Sequence, residues 1–403
     1  MLRKMIFSIG GVSFVLALIM ILAALSTVFL GRLLSEEDFG EFALMRTLVL
    51  FIAPLTVWGQ DVATARFFAQ HDARHYKWTG ALKTILGIGA VLMLMAVAIA
   101  AFVYSIALPK VLLLIVASFA YMCTLFFSNL VRGQGHYRQA ILMLNGFRGL
   151  FFLLVLALYL SKAATATLTI LSYYAIIIFL AIVNARYAFI KVKQGTQPVP
   201  KEMHQAGLLL MGSQASVTLI GSLDSLFIPG LLDLASLAVY QAAVVPSQIF
   251  NIIGRAGKYV WVPEFGRSGT THLKKISLLV AVTALALLTI MLVFAEPILH
   301  ALFAGKYDSG ANVLRLLAVA GTIRLFYNLG SSVIVGKLQN DALVYHLVLN
   351  IILVFVEIAL LILLLNSYGV LGAAVTMLCV TILRTCASYG IIYKFKHQLN
   401  QTV

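Results

Sequence analysis

Long runs of apolar residues follow one another along almost the whole chain, separated by short polar turns. A helix rises about 1.5 Å per residue, so roughly 20 apolar residues cross a hydrocarbon core about 30 Å thick. The runs are too long for barrel strands, and a backbone in lipid must satisfy its own hydrogen bonds. The pattern therefore predicts an all-α polytopic membrane protein with twelve transmembrane helices. The predicted spans are 8–30, 42–60, 81–107, 111–131, 140–160, 164–190, 205–231, 236–256, 276–298, 313–336, 342–366 and 369–393.

A polar segment near the middle of the chain divides these spans into six and six. It contains Gly195, Pro198 and Pro200, a composition typical of a linker between two lobes. We predict an N-terminal six-helix lobe over residues 1–192, a cytoplasmic linker over 193–204 and a C-terminal six-helix lobe over 205–403.

The turn after the first span of each half shows a weak internal repeat. Residues 32–44 and 231–243 match in hydropathy more than in their letters. Repeats related by an axis along the membrane normal are a transporter architecture, with the substrate between the repeats. The repeat therefore predicts that a pseudo-twofold axis along the membrane normal relates the two lobes.

Charged residues are few and fall mostly on one side of the predicted membrane. The chain is 62% hydrophobic and 11% charged, with a net charge of +15. With the N-terminus inside, twenty of the 29 Lys and Arg lie in or beside inner turns, and only Arg32, Lys110, Lys162 and Lys306 lie outside. This asymmetry obeys the positive-inside rule for an even number of spans, so both termini are expected in the cytoplasm. Nucleic-acid binding, the other common reason for a basic chain, is not favoured, because few residues lie outside the predicted spans.

The sequence carries no clear signal of a secreted, metal-binding or enzymatic protein. The first apolar run is longer than the core of a signal peptide, so it is interpreted as an uncleaved first span. Cys123, Cys379 and Cys386 lie in spans without metal-ligand spacing, and no metal or cofactor is expected. The chain has no P-loop, GxSxG, HExxH or aspartate-rich pair, and every predicted outer loop is short. We therefore do not expect an enzyme, and a membrane glycan polymerase is the less favoured alternative.

Four segments resemble those of a known family. They are residues 31–44 (GRLLSEEDFGEFAL), 65–68 (ARFF), 302–318 (LFAGKYDSGANVLRLLA) and 369–375 (GVLGAAV). The chain thereby resembles the polysaccharide-unit flippases, Wzx-type, of the multidrug/oligosaccharidyl-lipid/polysaccharide exporter superfamily. One departure is Ala238-Val-Tyr240, where many relatives have a glycine before the tyrosine.

The resemblance implies a fold, a substrate and a location. Such proteins have two six-helix lobes around a V-shaped cavity lined largely by the first two helices of each lobe. They move undecaprenyl-diphosphate-linked oligosaccharide outward across the bacterial inner membrane. The implied partners are this lipid-linked sugar, membrane lipid, and a polysaccharide polymerase and chain-length regulator, with no nucleic acid. A multidrug antiporter of the same superfamily is the closer alternative.

Charged side chains inside spans are costly and usually face a bundle interior or a wet cavity. Arginines outnumber carboxylates there, which suits a diphosphate, whereas organic cations would favour excess carboxylate. The residues are Arg46, Arg148, Arg324 and Arg384 against Asp224 and Glu357, with Arg315 near an outer interface.

Polar residues in the presumed cavity helices group by face. At about 100° per residue, each set below falls on one side of its helix. A polar stripe indicates either a water-filled cavity or interhelical hydrogen bonding, and the four large groups of span eight favour a cavity. The sets are Gln241, Gln248, Asn251 and Arg255 in span eight, Arg46, Gln60 and Asp61 in span two, and Ser213 and Asp224 in span seven.

Depth along the spans separates the individual charges. Arg148 lies about 12 Å from the cytoplasmic end of its span, with no acidic residue level with it in a neighbouring span, and is the strongest phosphate candidate. The alternative is a long side chain that snorkels to the interface. Arg324 and Glu357 lie about 16 Å and 14 Å from the outer ends, so an ion pair is favoured over direct substrate contact, although both remain open. Asp61, Asp224 and Glu357 are candidates for coupling or gating.

The predicted cytoplasmic loop after span two is basic. Arg66, Arg74 and Lys77 could capture a diphosphate head group first, or could set topology and contact anionic lipid. The second interpretation is favoured, and the two are compatible.

The charge asymmetry generates a topology prediction. Single cysteines at Ser35 and Ser309 should react with an impermeant thiol reagent added outside intact cells, whereas cysteines at Gln194 and Ser268 should not. Labelling of position 194 from outside would overturn the arrangement of six spans on each side of the linker.

Overall fold

The computed structural model describes residues 2–70, 76–192, 195–268, 273–338 and 340–396. Within these ranges the chain forms fifteen α-helices, a 3₁₀ turn and an isolated backbone bridge between Tyr76 and Gln197, which confirms the all-α fold class. The helices are α1 (Leu2–Leu33), α2 (Glu36–Thr56), α3 (Gln60–Gln70), α4 (Trp78–Val103), α5 (Leu108–Gly133), α6 (Tyr137–Ser161), α7 (Ala166–Lys191), α8 (Lys201–Ile220), α9 (Leu223–Leu231), α10 (Leu234–Ser268), α11 (Leu273–Val293), α12 (Ala295–Phe303), α13 (Ala311–Lys337), α14 (Asn340–Tyr368) and α15 (Val370–Lys394).

Ten of the described helices are long and apolar enough to cross a membrane: α2, α4 to α7, α10, α11 and α13 to α15. The described part of α1 adds a shorter apolar stretch, Ala17–Leu33. Predicted span seven is divided at Gly221 and Ser222 into α8 and α9. The chain is thus a multi-pass membrane protein, and the count of twelve crossings stays a prediction. Apolar side chains cover the exposed faces of the long helices, among them Ile99, Phe102, Leu153, Ile182, Leu279 and Phe355.

Contacts divide the chain into two compact units. Unit N comprises residues 21–26 and 41–222, and unit C comprises 1–20, 27–40 and 223–403. Residues 1–20 and 27–40, which include most of α1, therefore group with the second half of the sequence. The lobes at 1–192 and 205–403, with a linker at 193–204, are a division by sequence, and that division stays a prediction.

Aromatic rings from α2, α6 and α7 form much of the interior of unit N. Tyr173 lies against Phe42, Phe147 and Phe151, with ring centroids between 4.9 and 5.8 Å apart. The hydroxyl of the adjacent Tyr174 donates to the backbone carbonyl of Met45 on α2 at a distance of 3.0 Å. Ring packing of this kind fixes the three helices against one another.

A break at residues 57–59 separates α2 from α3 inside predicted span two. Trp58 and Gly59 have φ angles of 41° and 73°, and a side chain on Gly59 would place its Cβ 2.2 Å from the carbonyl oxygen of Gly207 on α8. Gln60 then makes two contacts of 3.0 Å with His204. Its Nε2 donates to the backbone carbonyl oxygen of His204, and its Oε1 lies beside the Nδ1 of the His204 ring. Close packing of α8 therefore accompanies the interruption of the helix.

The break also corrects a prediction about faces. Arg46, Gln60 and Asp61 were expected on one face of a continuous span two, whereas the structure carries Arg46 on α2 and the other two on α3. The reason is the left-handed backbone at Trp58 and Gly59, which redirects the chain.

Equivalent caps begin the second helix of each half. The backbone N–H of Asp38 donates to the Ser35 hydroxyl at 3.1 Å at the start of α2. The backbone N–H of Ser236 donates to the Asp233 carboxylate at 2.6 Å at the start of α10. Side chains that accept in this way satisfy the orphan N–H groups of a helix N-terminus. The two turns of the weak sequence repeat thus share a capping arrangement.

Two cations of unit C exchange contacts with helix ends. Arg32, at the end of α1, donates from Nε to the carbonyl of Leu302, near the end of α12, at 2.7 Å. Lys306, just after α12, donates to the carbonyls of Gly31 and Leu34 at the end of α1. The last carbonyls of a helix lack intrahelical partners and carry the negative end of its dipole. Each cation therefore stabilises the helix end beside the other, and we call this pair of contacts the reciprocal clamp.

The reciprocal clamp should contribute measurably to stability. Arg32→Met and Lys306→Met should each lower the melting temperature in detergent, because each loses charge-assisted hydrogen bonds to carbonyls, worth about 1 kcal/mol at exposed positions. Lys162→Met, at an exposed position after α6, is the control and should melt as the wild type does. Unchanged melting in the double variant would contradict the assignment.

Candidate functional site

Unit N holds a pair of arginines beside a buried tyrosine. The charges of Arg46 on α2 and Arg148 on α6 act on each other and on Tyr173 of α7. The Arg46 guanidinium lies 5.7 Å from the centre of the Phe42 ring, and that of Arg148 lies 5.5 Å from the Phe147 ring. Two predicted site residues are thus brought together in the interior of one unit.

Arg148 has donors to spare. Its half-buried guanidinium makes no hydrogen bond with any residue that the structure describes. The Tyr173 hydroxyl is buried and also lacks a hydrogen-bond partner in the described part of the chain. Buried polar groups are normally satisfied, so such groups call for an explanation such as a ligand. A guanidinium fork beside a hydroxyl suits a phosphate oxygen.

Asp61 is a buried carboxylate of unit N. Its carboxylate is buried and accepts a hydrogen bond of 3.0 Å from Asn129 Nδ2 on α5. It lies in the first turn of α3, where the positive end of the helix dipole favours an anion. Its assignment to coupling or gating stays a prediction.

A polar network surrounds Asp224 in unit C. Asp224 lies in the first turn of α9 and accepts from the backbone N–H of Ser225 at 2.7 Å and from the hydroxyl of Tyr240 on α10. Gln241 Nε2 donates to the Ser225 hydroxyl at 2.8 Å. The predicted site residues Asp224 and Gln241 therefore belong to one connected group.

A second chain of contacts runs from α10 to α13. Asn251 donates to the Gln248 side-chain oxygen at 3.0 Å and accepts from the Arg324 guanidinium at 3.1 Å. A second nitrogen of Arg324 lies 2.8 Å from the sulfur of Met377. The structure thus joins three predicted site residues across two helices.

The ion pair favoured for Arg324 and Glu357 is not formed. Arg324 bonds to Asn251 instead, and its charge reaches Glu357 and Asp224 at a longer range than a direct contact. Glu357 is 1% exposed, and its Oε2 has no hydrogen-bond partner among the described residues. Equal depth placed the two residues at one level, but depth alone does not bring two side chains into contact, and Arg324 bonds to Asn251 instead.

The remaining predicted residues lie apart from these interior groups. Arg255 is exposed on α10, and its charge acts on Lys258. Arg66 and Lys77 are exposed, and the backbone N–H of Lys77 donates to the carbonyl of Gln197 at 2.7 Å. Arg74 lies outside the described residues. Their roles in substrate contact and capture stay predictions.

The sequence interpretation missed a group around Tyr327. Predicted span eight ends at residue 256 because hydropathy falls there, whereas α10 continues to Ser268 and includes Lys258. Its position three residues after Arg255 was the available signal, since residues at that spacing share a helix face. Arg384 was recognised as a buried charge but was given no partner.

The chain is similar to a known protein family and to solved structures. The sequence profile of the family described as polysaccharide biosynthesis protein matches residues 8–269. No curated protein sequence matches the chain. Among solved structures, an inward-facing multidrug resistance MATE family transporter of the MOP superfamily matches with a TM-score of 0.65 and 16% identity, over 95% of this chain and 94% of that one. A MOP superfamily transporter from Pyrococcus furiosus matches with a TM-score of 0.58 and 16% identity, over 97% of this chain and 96% of that one. The description of that structure reports a reversed polarity of its binding pocket. These likenesses establish the fold.

The arrangement around Arg324 makes a prediction about protein abundance. Arg324→Leu should lower the amount of protein in the membrane, because it removes a cation that acts on two buried carboxylates, and an uncompensated buried charge costs about 3 to 5 kcal/mol in soluble proteins. Glu357→Gln should keep abundance near the wild-type level, because Oε2 has no hydrogen bond to lose.

Two comparisons make that test specific. Adding Glu357→Leu to Arg324→Leu should recover part of the loss by restoring charge balance. Arg315→Leu breaks an exposed ion pair with Glu296 (3.1 Å) and should change abundance little, since such pairs contribute about 0 to 1 kcal/mol. Equal abundance of Arg324→Leu and wild type would refute the interpretation.

Proposed function

This chain belongs to the polysaccharide biosynthesis protein family, and we propose that within it the protein is a flippase for lipid-linked oligosaccharide. Its substrate is undecaprenyl-diphosphate-linked oligosaccharide, the repeat unit of a surface polysaccharide, which moves from the cytoplasmic to the outer leaflet. The protein spans the bacterial inner membrane with both termini in the cytoplasm and works by alternating access. Membrane lipid, a polysaccharide polymerase and a chain-length regulator are its proposed partners.

The observation that carries this proposal is the unsatisfied guanidinium of Arg148. A guanidinium in the interior of unit N with no protein hydrogen-bond acceptor in the described chain, beside the unsatisfied Tyr173 hydroxyl, supports binding of an anion. Arg46 adds a second positive charge at the same place. Arginine is favoured for phosphate because its planar fork donates two parallel hydrogen bonds.

The sign of the interior charge argues against the closest alternative. The structural match to multidrug transporters shows that this fold can serve drug efflux, and organic cations would favour carboxylates in the binding region. Here arginines exceed carboxylates in the described spans, and Asp61 and Asp224 are each engaged in hydrogen bonds within their own unit. An anionic substrate is therefore preferred.

The physical task of a flippase explains the need for a polar interior. Diphosphate and sugar lose their hydration in hydrocarbon, a cost that makes unassisted crossing negligible, whereas the polyprenyl tail can stay in lipid. The membrane potential can supply the drive, because an anion leaving an inside-negative cell gains about 2.3 kcal/mol per charge per 100 mV. No nucleotide-binding motif occurs in the sequence, and ATP has no part in the proposed mechanism.

Deletion of the gene tests the function directly. The expected result is accumulation of short lipid-linked oligosaccharide on the cytoplasmic leaflet, measured by accessibility of the sugar to reagents on each side of membrane vesicles. Normal appearance of the sugar on the outer leaflet would overturn the proposal.

Substitutions at Arg148 test the site. Arg148→Ala should reduce export at least tenfold at normal abundance, because the lost charge-assisted hydrogen bonds discriminate strongly for phosphate. Arg148→Lys should retain part of the export if charge matters more than the guanidinium fork. Arg255→Ala is expected to reduce export as well.

Arg186→Ala is the matched control, since it removes an exposed arginine from the neighbouring α7. Export at the wild-type rate in both the Arg148→Ala and Arg255→Ala variants would remove these residues from the site.

A further inference from the structure

A second group of cations surrounds a tyrosine in the interior of unit C. Tyr327 on α13 is 5% exposed, and the guanidinium of Arg384 on α15 lies 4.2 Å from the centre of its ring. Lys258 Nζ on α10 lies 5.3 Å from the same centre. The ring of His346 on α14 is stacked on it at 6.2 Å, with Nε2 3.4 Å from the Tyr327 hydroxyl. We call these four residues the Tyr327 cluster.

Arg384 is fixed by one hydrogen bond and keeps unused hydrogen-bond donors. Its Nε donates to Asn350 Oδ1 at 2.8 Å, and Asn350 is itself fixed by donating to the backbone carbonyl of His346 at 2.7 Å. Arg384 forms no further hydrogen bond with the residues described, so its two terminal nitrogens keep their donors. A guanidinium anchored through Nε presents a fixed fork, which is the geometry that binds a phosphate in two places.

Positive charge in this region is not balanced by contact. Neither Lys258 nor Arg384 lies within 4 Å of a carboxylate whose side chain is described. Glu357 acts on Arg384 at longer range, while Arg255 and Arg324 add further positive charge. One aromatic face can attract a cation, but a single ring shared by two cations leaves both without a counterion. Cations inside spans usually find an anionic partner or mark a substrate path.

We infer that the Tyr327 cluster is a binding site for a phosphoryl group carried by a lipid. The fork of Arg384 and the ammonium of Lys258 would hold its oxygens, and the Tyr327 hydroxyl offers a further donor. The site is separate in sequence and in helices from the Arg148 group, which belongs to unit N. The choice of a diphosphate as ligand rests on the proposed function, whereas bulk anionic phospholipid would present the same chemistry.

Direct binding tests this inference without requiring transport. The full-length protein is placed in nanodiscs of phosphatidylcholine, and dissociation constants are measured for inorganic pyrophosphate and for undecaprenyl diphosphate. The measurements are repeated with phosphatidylglycerol in the disc. Arg384→Gln and Lys258→Gln should each weaken the binding of both probes about tenfold or more, and Arg384→Lys should fall between Arg384→Gln and the wild type.

A matched control separates the site from general charge. Lys394 lies 4.0 Å from the ring centre of Tyr345, a cation over a tyrosine in the same unit, but both residues are exposed. Lys394→Gln should bind both probes as the wild type does. Melting temperatures of all variants confirm that they are folded, and Arg384→Lys keeps the test open if Arg384→Gln is unstable.

The outcomes distinguish this inference from the proposed function. Wild-type affinity in folded Arg384→Gln and Lys258→Gln overturns the site, even if Arg148→Ala abolishes export. If pyrophosphate binding depends on the cluster but deletion of the gene leaves export normal, the site stands and the flippase proposal is removed. Displacement of both probes by phosphatidylglycerol supports the site and assigns it to bulk phospholipid, whereas its failure to compete assigns the site to the diphosphate.

Discussion

Hydrocarbon offers no water to a peptide group, and this constraint determines where the chain can leave its helical path. The break before α3 occurs where α8 packs against Gly59 and where Gln60 contacts His204. The break before α9 is followed by side chains that bond to one another and to α10. Each break is followed, in the first turn of the next helix, by a buried aspartate, Asp61 or Asp224. Interrupted helices expose N-terminal dipoles inside a membrane protein, and transporters use such positions for ions and substrates.

Sequence reasoning predicted the fold class and most helices because the length and hydropathy of each apolar run can be read directly from the sequence. It did not predict where helices break or which side chains meet. Depth along a span follows from counting residues, and it placed Arg324 level with Glu357, but depth alone does not determine which side chains meet, and Arg324 bonds to Asn251. Hydropathy marks the edge of the lipid and ended predicted span eight at residue 256, whereas α10 extends to Ser268 and includes Lys258. Of the candidate site, the cationic character was predictable from the sequence and the partners were not.

Each unit places two cations near a buried tyrosine. Arg46 and Arg148 act on Tyr173 in unit N, and Lys258 and Arg384 flank Tyr327 in unit C. The Tyr327 ring offers its pair an aromatic face, whereas Phe42 and Phe147 offer such faces to Arg46 and Arg148. Each tyrosine has a hydroxyl that can donate to an anion.

The reciprocal clamp has a consequence for biogenesis. It joins Arg32 to a carbonyl 270 residues later in the chain. The first helix therefore leaves the ribosome long before its partner has been synthesised, and it must wait in the bilayer with its terminal carbonyls unpaired by protein. Insertion and final packing are separated in time, and lateral diffusion has to bring the oldest and some of the newest helices together. A chain that stalls before Lys306 keeps that first helix end uncapped, which gives membrane quality control a physical mark of incomplete synthesis.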